Sequence, residues 1–223
     1  MPLTSPTPAR LRLHGYWRSG TTYRVRIALG LKGLGWETVP VNLLEGAQKG
    51  EAYRRLQPQG LVPALEADGL VIAQSPAILE WIEETYPDPP LLPSTPADRA
   101  AVRAMAAAIA CDIHPLHNPR VFARLKQDHA AAPADTEAWA AHWIAEGLAA
   151  LEQLVARHGG GLAFGDRPTL ADCYLVPQIY TANRFHVDLS PYPRLVAAAA
   201  AAGALPAVAA AHPAAQPDAP PAA

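Results

Sequence analysis

Val62-Pro63-Ala64-Leu65-Glu66-Ala67-Asp68-Gly69-Leu70-Val71-Ile72 reads as a β-hairpin. Two apolar runs flank Asp-Gly, a dipeptide that readily takes positive φ at the centre of a tight two-residue turn. Ser75-Pro76 follows, an N-cap and a first helical residue. The helix they open buries Ile78, Leu79 and Ile82 by spacing, exposes Glu80, Glu83 and Glu84, and ends near Tyr86. Upstream, Leu11 and Leu13 alternate with polar neighbours and run into Gly15-Tyr16, a strand. Thr21 or Thr22 then caps a helix with Val25, Ala28 and Leu29 on its apolar face, and Gly33 stops it. Thr38-Val39-Pro40-Val41 is a second strand, which its proline places at an edge or leaves partly unpaired. Residues 46–59 are polar, with a helical patch at 51–56. The order is β-α-β-(α)-β-β-α.

Beyond Tyr86 the pattern changes. Residues 87–96 hold five prolines and read as a linker. Segments 97–123, 136–156, 169–183 and 193–202 then read as helices with no strand signal between them. Thr169-Leu170-Ala171-Asp172 has capping-box spacing. A last helix falls near Ala207. The chain therefore divides into an α/β domain at 10–87, a linker at 88–96 and an all-helical domain at 97–211. Residues 1–9 are expected to be disordered and 212–223 to fray.

The 223 residues are 50% hydrophobic and only 17% charged, below a globular norm of about 25%, which excludes a disordered chain. A formal net charge of -2 argues against nucleic acid as partner. Cys111 and Cys173 cannot build a disulfide framework, so a reducing compartment fits. The first residues lack the apolar stretch of a signal peptide. The one long uncharged run, 195–211, is mostly alanine and broken by Gly203 and Pro206, so it is not a membrane span. A soluble, cytoplasmic protein is expected.

Five segments carry a family resemblance over residues 11–217. Tyr16-Trp17-Arg18-Ser19-Gly20-Thr21-Thr22-Tyr23-Arg24-Val25-Arg26-Ile27-Ala28-Leu29 resembles the first strand-to-helix turn of zeta-class glutathione transferases. Val62-Pro63-Ala64-Leu65 is similar to their cis-proline segment, and Gln74-Ser75-Pro76-Ala77-Ile78 to their γ-glutamyl motif. Asp112-Ile113-His114-Pro115-Leu116-His117-Asn118 and Arg184-Phe185-His186-Val187-Asp188-Leu189 match further segments. The resemblance implies a thioredoxin-like N-terminal domain followed by a C-terminal helical bundle, a homodimer, and glutathione as cofactor. The class includes maleylacetoacetate isomerase and the bacterial maleylpyruvate isomerases. Many zeta enzymes carry cysteine where this chain has Thr21. The Ser-Gly-Thr turn and the segment from Cys111 to Pro115 lean toward the maleylpyruvate enzymes.

The chemistry follows from what glutathione needs. A thiol of pKa about 8.5 is under a tenth thiolate at neutral pH, and the thiolate is the nucleophile. Lowering that pKa by about two units takes roughly 2.7 kcal/mol of anion stabilisation. The start of the first helix supplies unpaired N–H groups, a partial positive charge and the hydroxyls of Ser19 and Thr21, either of which could hold the sulfur. By resemblance, Val62 precedes a cis proline and pairs with the cysteinyl backbone. Gln74 and Ser75 bind the γ-glutamyl carboxylate at a helix start, and Gln48 lies near the glycyl end. Arg18 and Arg184 are the expected clamps on a dicarboxylate keto acid, because a guanidinium grips a carboxylate bidentately. Asp112, His114 and Asn118 are expected to reach glutathione from the same or the partner subunit, with no role assigned to His117. Arg24 and Arg26 read as surface decoration. The His-x-x-His spacing at 114 and 117 is not that of a zinc helix, and no metal is expected. The implied activity is glutathione-dependent cis–trans isomerisation of maleylpyruvate or maleylacetoacetate by thiolate addition, bond rotation and elimination. The alternative is a transferase or dehalogenase acting on electrophilic xenobiotics.

Overall fold

A computed structural model describes residues 10–221; residues 1–9, expected to be disordered, lie outside the described residues. The chain forms two compact units, one ending at Pro89 and taking back the residues from Pro206 on, the other spanning Pro90–Leu205.

The first unit runs β1 (Leu11–Gly15), α1 (Gly20–Leu31), β2 (Trp36–Pro40), α2 (Glu51–Leu56), β3 (Ala64–Ala67), β4 (Leu70–Ala73) and α3 (Ser75–Thr85). Its sheet has the order β2-β1-β3-β4. β1 is parallel to β2 and antiparallel to β3, which pairs antiparallel with β4. β2 is an edge strand, as Pro40 requires. Asp68 and Gly69 take φ of 48° and 90° at the hairpin turn. Leu11, Leu13 and Leu65 of the sheet and Ile78, Leu79 and Ile82 of α3 are all buried.

Three local readings change. The N-cap of α1 is Ser19, not Thr21 or Thr22: its Oγ accepts the Thr22 N–H at 3.3 Å. The cap of α3 is Gln74, at φ 71°, and Ser75 is the first helical residue. Glu83 is buried rather than exposed, because Lys32 Nζ meets its carboxylate at 2.6 Å and also donates to the Pro89 carbonyl at 2.7 Å.

Arg24 and Arg26 are not surface decoration either. Every residue of α1 from Thr22 to Leu29 is buried, and the two arginines are each 2% exposed. α3 and α9 (Pro206–Ala210) both pack on α1. A helix covered on several sides has no solvated face for an arginine to occupy.

The second unit contains α4 (Pro96–Ala107), α5 (Pro119–His129), α6 (Pro133–His158), α7 (Leu170–Arg184) and α8 (Pro193–Gly203). The single helix expected at 97–123 is instead α4, a π-helical turn at Ala108–Ile113, a 3-10 turn at His114–His117, and α5. Pro115 and Pro119 remove backbone donors there, and Asn118 caps α5. Thr169 and Asp172 bond as the capping-box spacing predicts, with the Thr169 N–H donating to Asp172 Oδ2 at 2.8 Å. The prolyl linker is held: Leu91 and Leu92 are buried, and the Leu91 carbonyl accepts the Leu170 N–H at 2.8 Å.

Residues 206–211, expected in the helical domain, cluster with the first unit. Residues 212–218, expected to fray, are bonded. Gln216 Nε2 donates to the carbonyls of Ala210 and His212, both at 3.0 Å, and folds this strap on itself.

Candidate active site

The turn from β1 into α1 closes with the Ser19 N–H donating to the Tyr16 carbonyl at 3.0 Å. That places Trp17 and Arg18 at the turn's centre and Ser19 at the helix start. Here the hydroxyls form a directed chain. Thr21 Oγ1 donates to the Val62 carbonyl at 2.9 Å and lies 2.9 Å from Ser19 Oγ. A hydroxyl has one proton, and Thr21 has given its own to Val62. Ser19 must therefore be the donor to Thr21, while accepting from the Thr22 N–H. The Val62–Pro63 bond is cis, as the resemblance implies, and so is Asp88–Pro89.

The start of α3 forms a second donor cluster. Ser75 is 3% exposed, and Arg24 Nη1 donates to its Oγ at 3.3 Å. With one lone pair taken by a guanidinium, the Ser75 proton turns away from Arg24. Unpaired N–H groups of the first helical turn share that end of α3. Gln74 holds its positive φ beside it, and Gln74 Nε2 donates to Gln59 Oε1. Gln48 Oε1 is buried with no hydrogen-bond partner among the described residues. Its backbone carbonyl lies against Gly60, where a Cβ would come within 2.8 Å. The two helix starts thus offer polar groups of the kind a thiol peptide with carboxylate ends requires: the hydroxyls of Ser19 and Ser75, the Val62 backbone and the Gln74 amide.

Arg18 is half-buried, with its guanidinium 5.4 Å from the Trp17 ring centre. In the second unit, Arg184 closes the last turn of α7, exposed, its guanidinium 5.5 Å from the Phe185 ring centre. Asp112 is exposed and His114 half-buried. His117 is buried edge-on to His114, ring centres 5.0 Å apart, and packs on Phe185. Asn118 has a local task, its Oδ1 accepting the Arg120 N–H at 3.2 Å. Among the described residues, no group of three or more His, Cys, Asp or Glu is placed to hold a metal.

Sequence reasoning missed Arg24 and Gln59. Two arginines within the otherwise apolar run from Tyr23 to Leu29 were the available signal for Arg24. Gln59 carried none, because its loop has no periodicity.

Residues 18–85 match the glutathione S-transferase N-terminal domain and residues 136–201 the C-terminal domain of the same family. The chain is 50% identical over 210 residues to a maleylpyruvate isomerase of Ralstonia sp, covering 93% of this chain and 99% of the relative. It is 51% identical over 214 residues to a maleylacetoacetate isomerase of Pseudomonas aeruginosa, covering 94% and 99%. Among solved structures, it resembles a holo maleyl pyruvate isomerase described as a bacterial zeta-class glutathione S-transferase. The TM-score is 0.92 at 49% identity, over 94% of this chain and 100% of that one. It also resembles the maleylacetoacetate isomerase of Anaeromyxobacter dehalogenans with dicarboxyethyl glutathione and citrate bound. There the TM-score is 0.85 at 46% identity, over 95% and 98%.

Proposed function

The chain belongs to the glutathione S-transferase family, in its zeta class, and on that premise we propose that it is a glutathione-dependent cis–trans isomerase converting maleylpyruvate, or maleylacetoacetate, to the fumaryl isomer. Relatives of both names match it almost equally well, at 50% and 51% identity, so the keto tail of the substrate is left to the assay. A solved relative holds dicarboxyethyl glutathione and citrate in its active site, which supports a substrate of dicarboxylate type.

The observation that carries the reading is the hydroxyl chain at the start of α1. When bound, glutathione supplies a thiolate able to add to the cis double bond, free it to rotate, and leave again. Ser19 is the residue that holds the sulfur anion. Its proton sits on a neighbouring hydroxyl and can swing to a charged acceptor, a stronger partner. Thr21 keeps its proton on the Val62 carbonyl and braces it, leaving that oxygen's second lone pair for an amide donor. Ser75, with Arg24 behind it, and Gln74 take the γ-glutamyl carboxylate; Gln48 takes the glycyl end. Arg18 grips one carboxylate end of the substrate, and Arg184 is the second expected clamp. Asp112, His114 and Asn118 complete the expected cofactor contacts. A dehalogenase of this fold would want a resolving cysteine at the turn, and position 21 is threonine.

The protein is further proposed to work as a homodimer in the cytoplasm. Exposed Leu70 and Val71 on β4 support an interface, and no described helix is long and apolar enough to cross a membrane. Steady-state kinetics with glutathione and either maleyl keto acid test the site. Ser19→Ala is expected to lower kcat about 10²- to 10³-fold, as removal of one anion-holding donor does. Thr21→Ala should cost about tenfold or less. Equal losses, or the reverse order, would overturn the assignment.

A further inference from the structure

The mechanism leaves two groups unused, and both close on one residue. The Trp17 N–H donates to Asp218 Oδ2 at 2.9 Å, across 201 positions of sequence. The Trp17 carbonyl accepts from Arg26 Nη2 at 2.9 Å. Arg26 is 2% exposed, and its Nε donates to the Ala211 carbonyl at 3.0 Å. The guanidinium thus ties the strap to the turn. The strap is built for this. Ala211 and Pro213 are buried, Gln216 folds the segment on itself, and the His212 ring stands edge-on to Tyr23, 6.1 Å away.

Trp17 occupies the first central position of the turn that closes on Ser19. Its N–H belongs to one peptide plane and its carbonyl to the next. Holding both planes fixes the backbone dihedrals of Trp17. It also fixes the plane from which Arg18 springs, one residue before Ser19. A carboxylate accepting a backbone N–H makes a charge-assisted bond, stronger than a neutral one. The acceptor for the Trp17 N–H comes from the strap and not from the turn itself.

We propose that Asp218 and Arg26 are positioning residues of the reaction. The strap at residues 206–218 clamps the Trp17 peptide and thereby sets where Arg18 meets the substrate and Ser19 meets the thiolate. This rests on the isomerase reading for what the positioned groups do.

The test compares wild type with Asp218→Ala and Asp218→Asn in the full chain. Asparagine keeps an acceptor for the Trp17 N–H; alanine does not. Three quantities are read: hydrogen-exchange protection of the Trp17 amide without glutathione, the pKa of bound glutathione by thiolate ultraviolet absorbance, and kcat. Asp218→Ala should lose protection at Trp17, shift the bound thiol upward toward about 8.5, and lower kcat about 10- to 100-fold, the scale of a misplacement near 1 Å. KM for glutathione should move little, since Ser75 and Gln74 hold the other end. Asp218→Asn should recover most of each loss. The proposal is overturned if Asp218→Ala leaves Trp17 protected, or if protection is lost while thiol pKa and kcat stay at wild-type values. It is also overturned if asparagine fares no better than alanine. Failure of wild type to turn over either substrate would refute the isomerase reading; the exchange and thiol measurements would still judge the clamp.

Discussion

Ser75 is buried, and its oxygen accepts from Arg24. Ser75→Ala removes the donor proposed for the γ-glutamyl carboxylate, a bond worth about 1.5–3 kcal/mol. Titration calorimetry should show glutathione binding weakened about 10- to 100-fold, since each 1.4 kcal/mol is tenfold. kcat at saturating glutathione should hold near wild type. Unchanged affinity would remove Ser75 from the site. At this scale the sequence was legible in part. Ser19, Thr21, Val62, Gln74 and Ser75 stand in short motifs, and the structure places them at helix starts and at the segment before β3. The division of labour proposed for Ser19 and Thr21 was not legible. It depends on the Val62 carbonyl, 41 positions from Thr21, taking one particular proton. Arg24 was misread for a related reason: spacing shows one apolar stripe of a helix and cannot show that the other faces are covered too.

Elements bounded by strong local chemistry, such as the Asp-Gly hairpin and the helices over 136–156, 169–183 and 193–202, formed where spacing put them, to within a few residues. The stretch 97–123 did not, because its path turns on packing. At the π-helical turn, Ile113 lies against Gly147 of α6, where an added Cβ would fall 2.2 Å from Ile113 Cγ1. Gly→Ala in a helix ordinarily stabilises by about 1 kcal/mol. Here overpacking, at about 1–3 kcal/mol, wins. Gly147→Ala should lower the thermal midpoint, and adding Ile113→Ala should soften that loss; a raised midpoint for the single variant would contradict the packing. The strap has its own signature. Partial burial first, and the Arg26 charge second, hold the His212 pKa below 6.5. Its Nδ1 accepts the Ala214 N–H at 3.2 Å, which a protonated nitrogen cannot do. The unfolded strap then binds a proton more readily than the docked one. The His212 contribution to docking is therefore complete above about pH 6.5 and is lost as pH falls through the folded pKa. An NMR titration should place the His212 midpoint below 6.5; a midpoint at or above it would contradict the docked geometry.

At the scale of the whole molecule, the sequence separated an α/β part from a helical part. It put the boundary where the composition changes, at the prolines of 87–96. It could not foresee the return of residues 206–221, whose alanine- and proline-rich composition looks alike whether docked or loose. The fold alone does not fix chemistry, and many activities share it. The reading as an isomerase rests on Ser19 at a helix start, on Thr21 standing where a resolving cysteine would be, and on the family. The direct measurement is to mix the purified protein with enzymatically generated maleylpyruvate or maleylacetoacetate, with and without glutathione, and follow ultraviolet absorbance and free thiol together. The account predicts conversion of at least one to its fumaryl isomer, strictly dependent on glutathione, with the thiol undiminished at the end. No conversion of either by protein that binds glutathione, or loss of thiol in step with substrate, would contradict it.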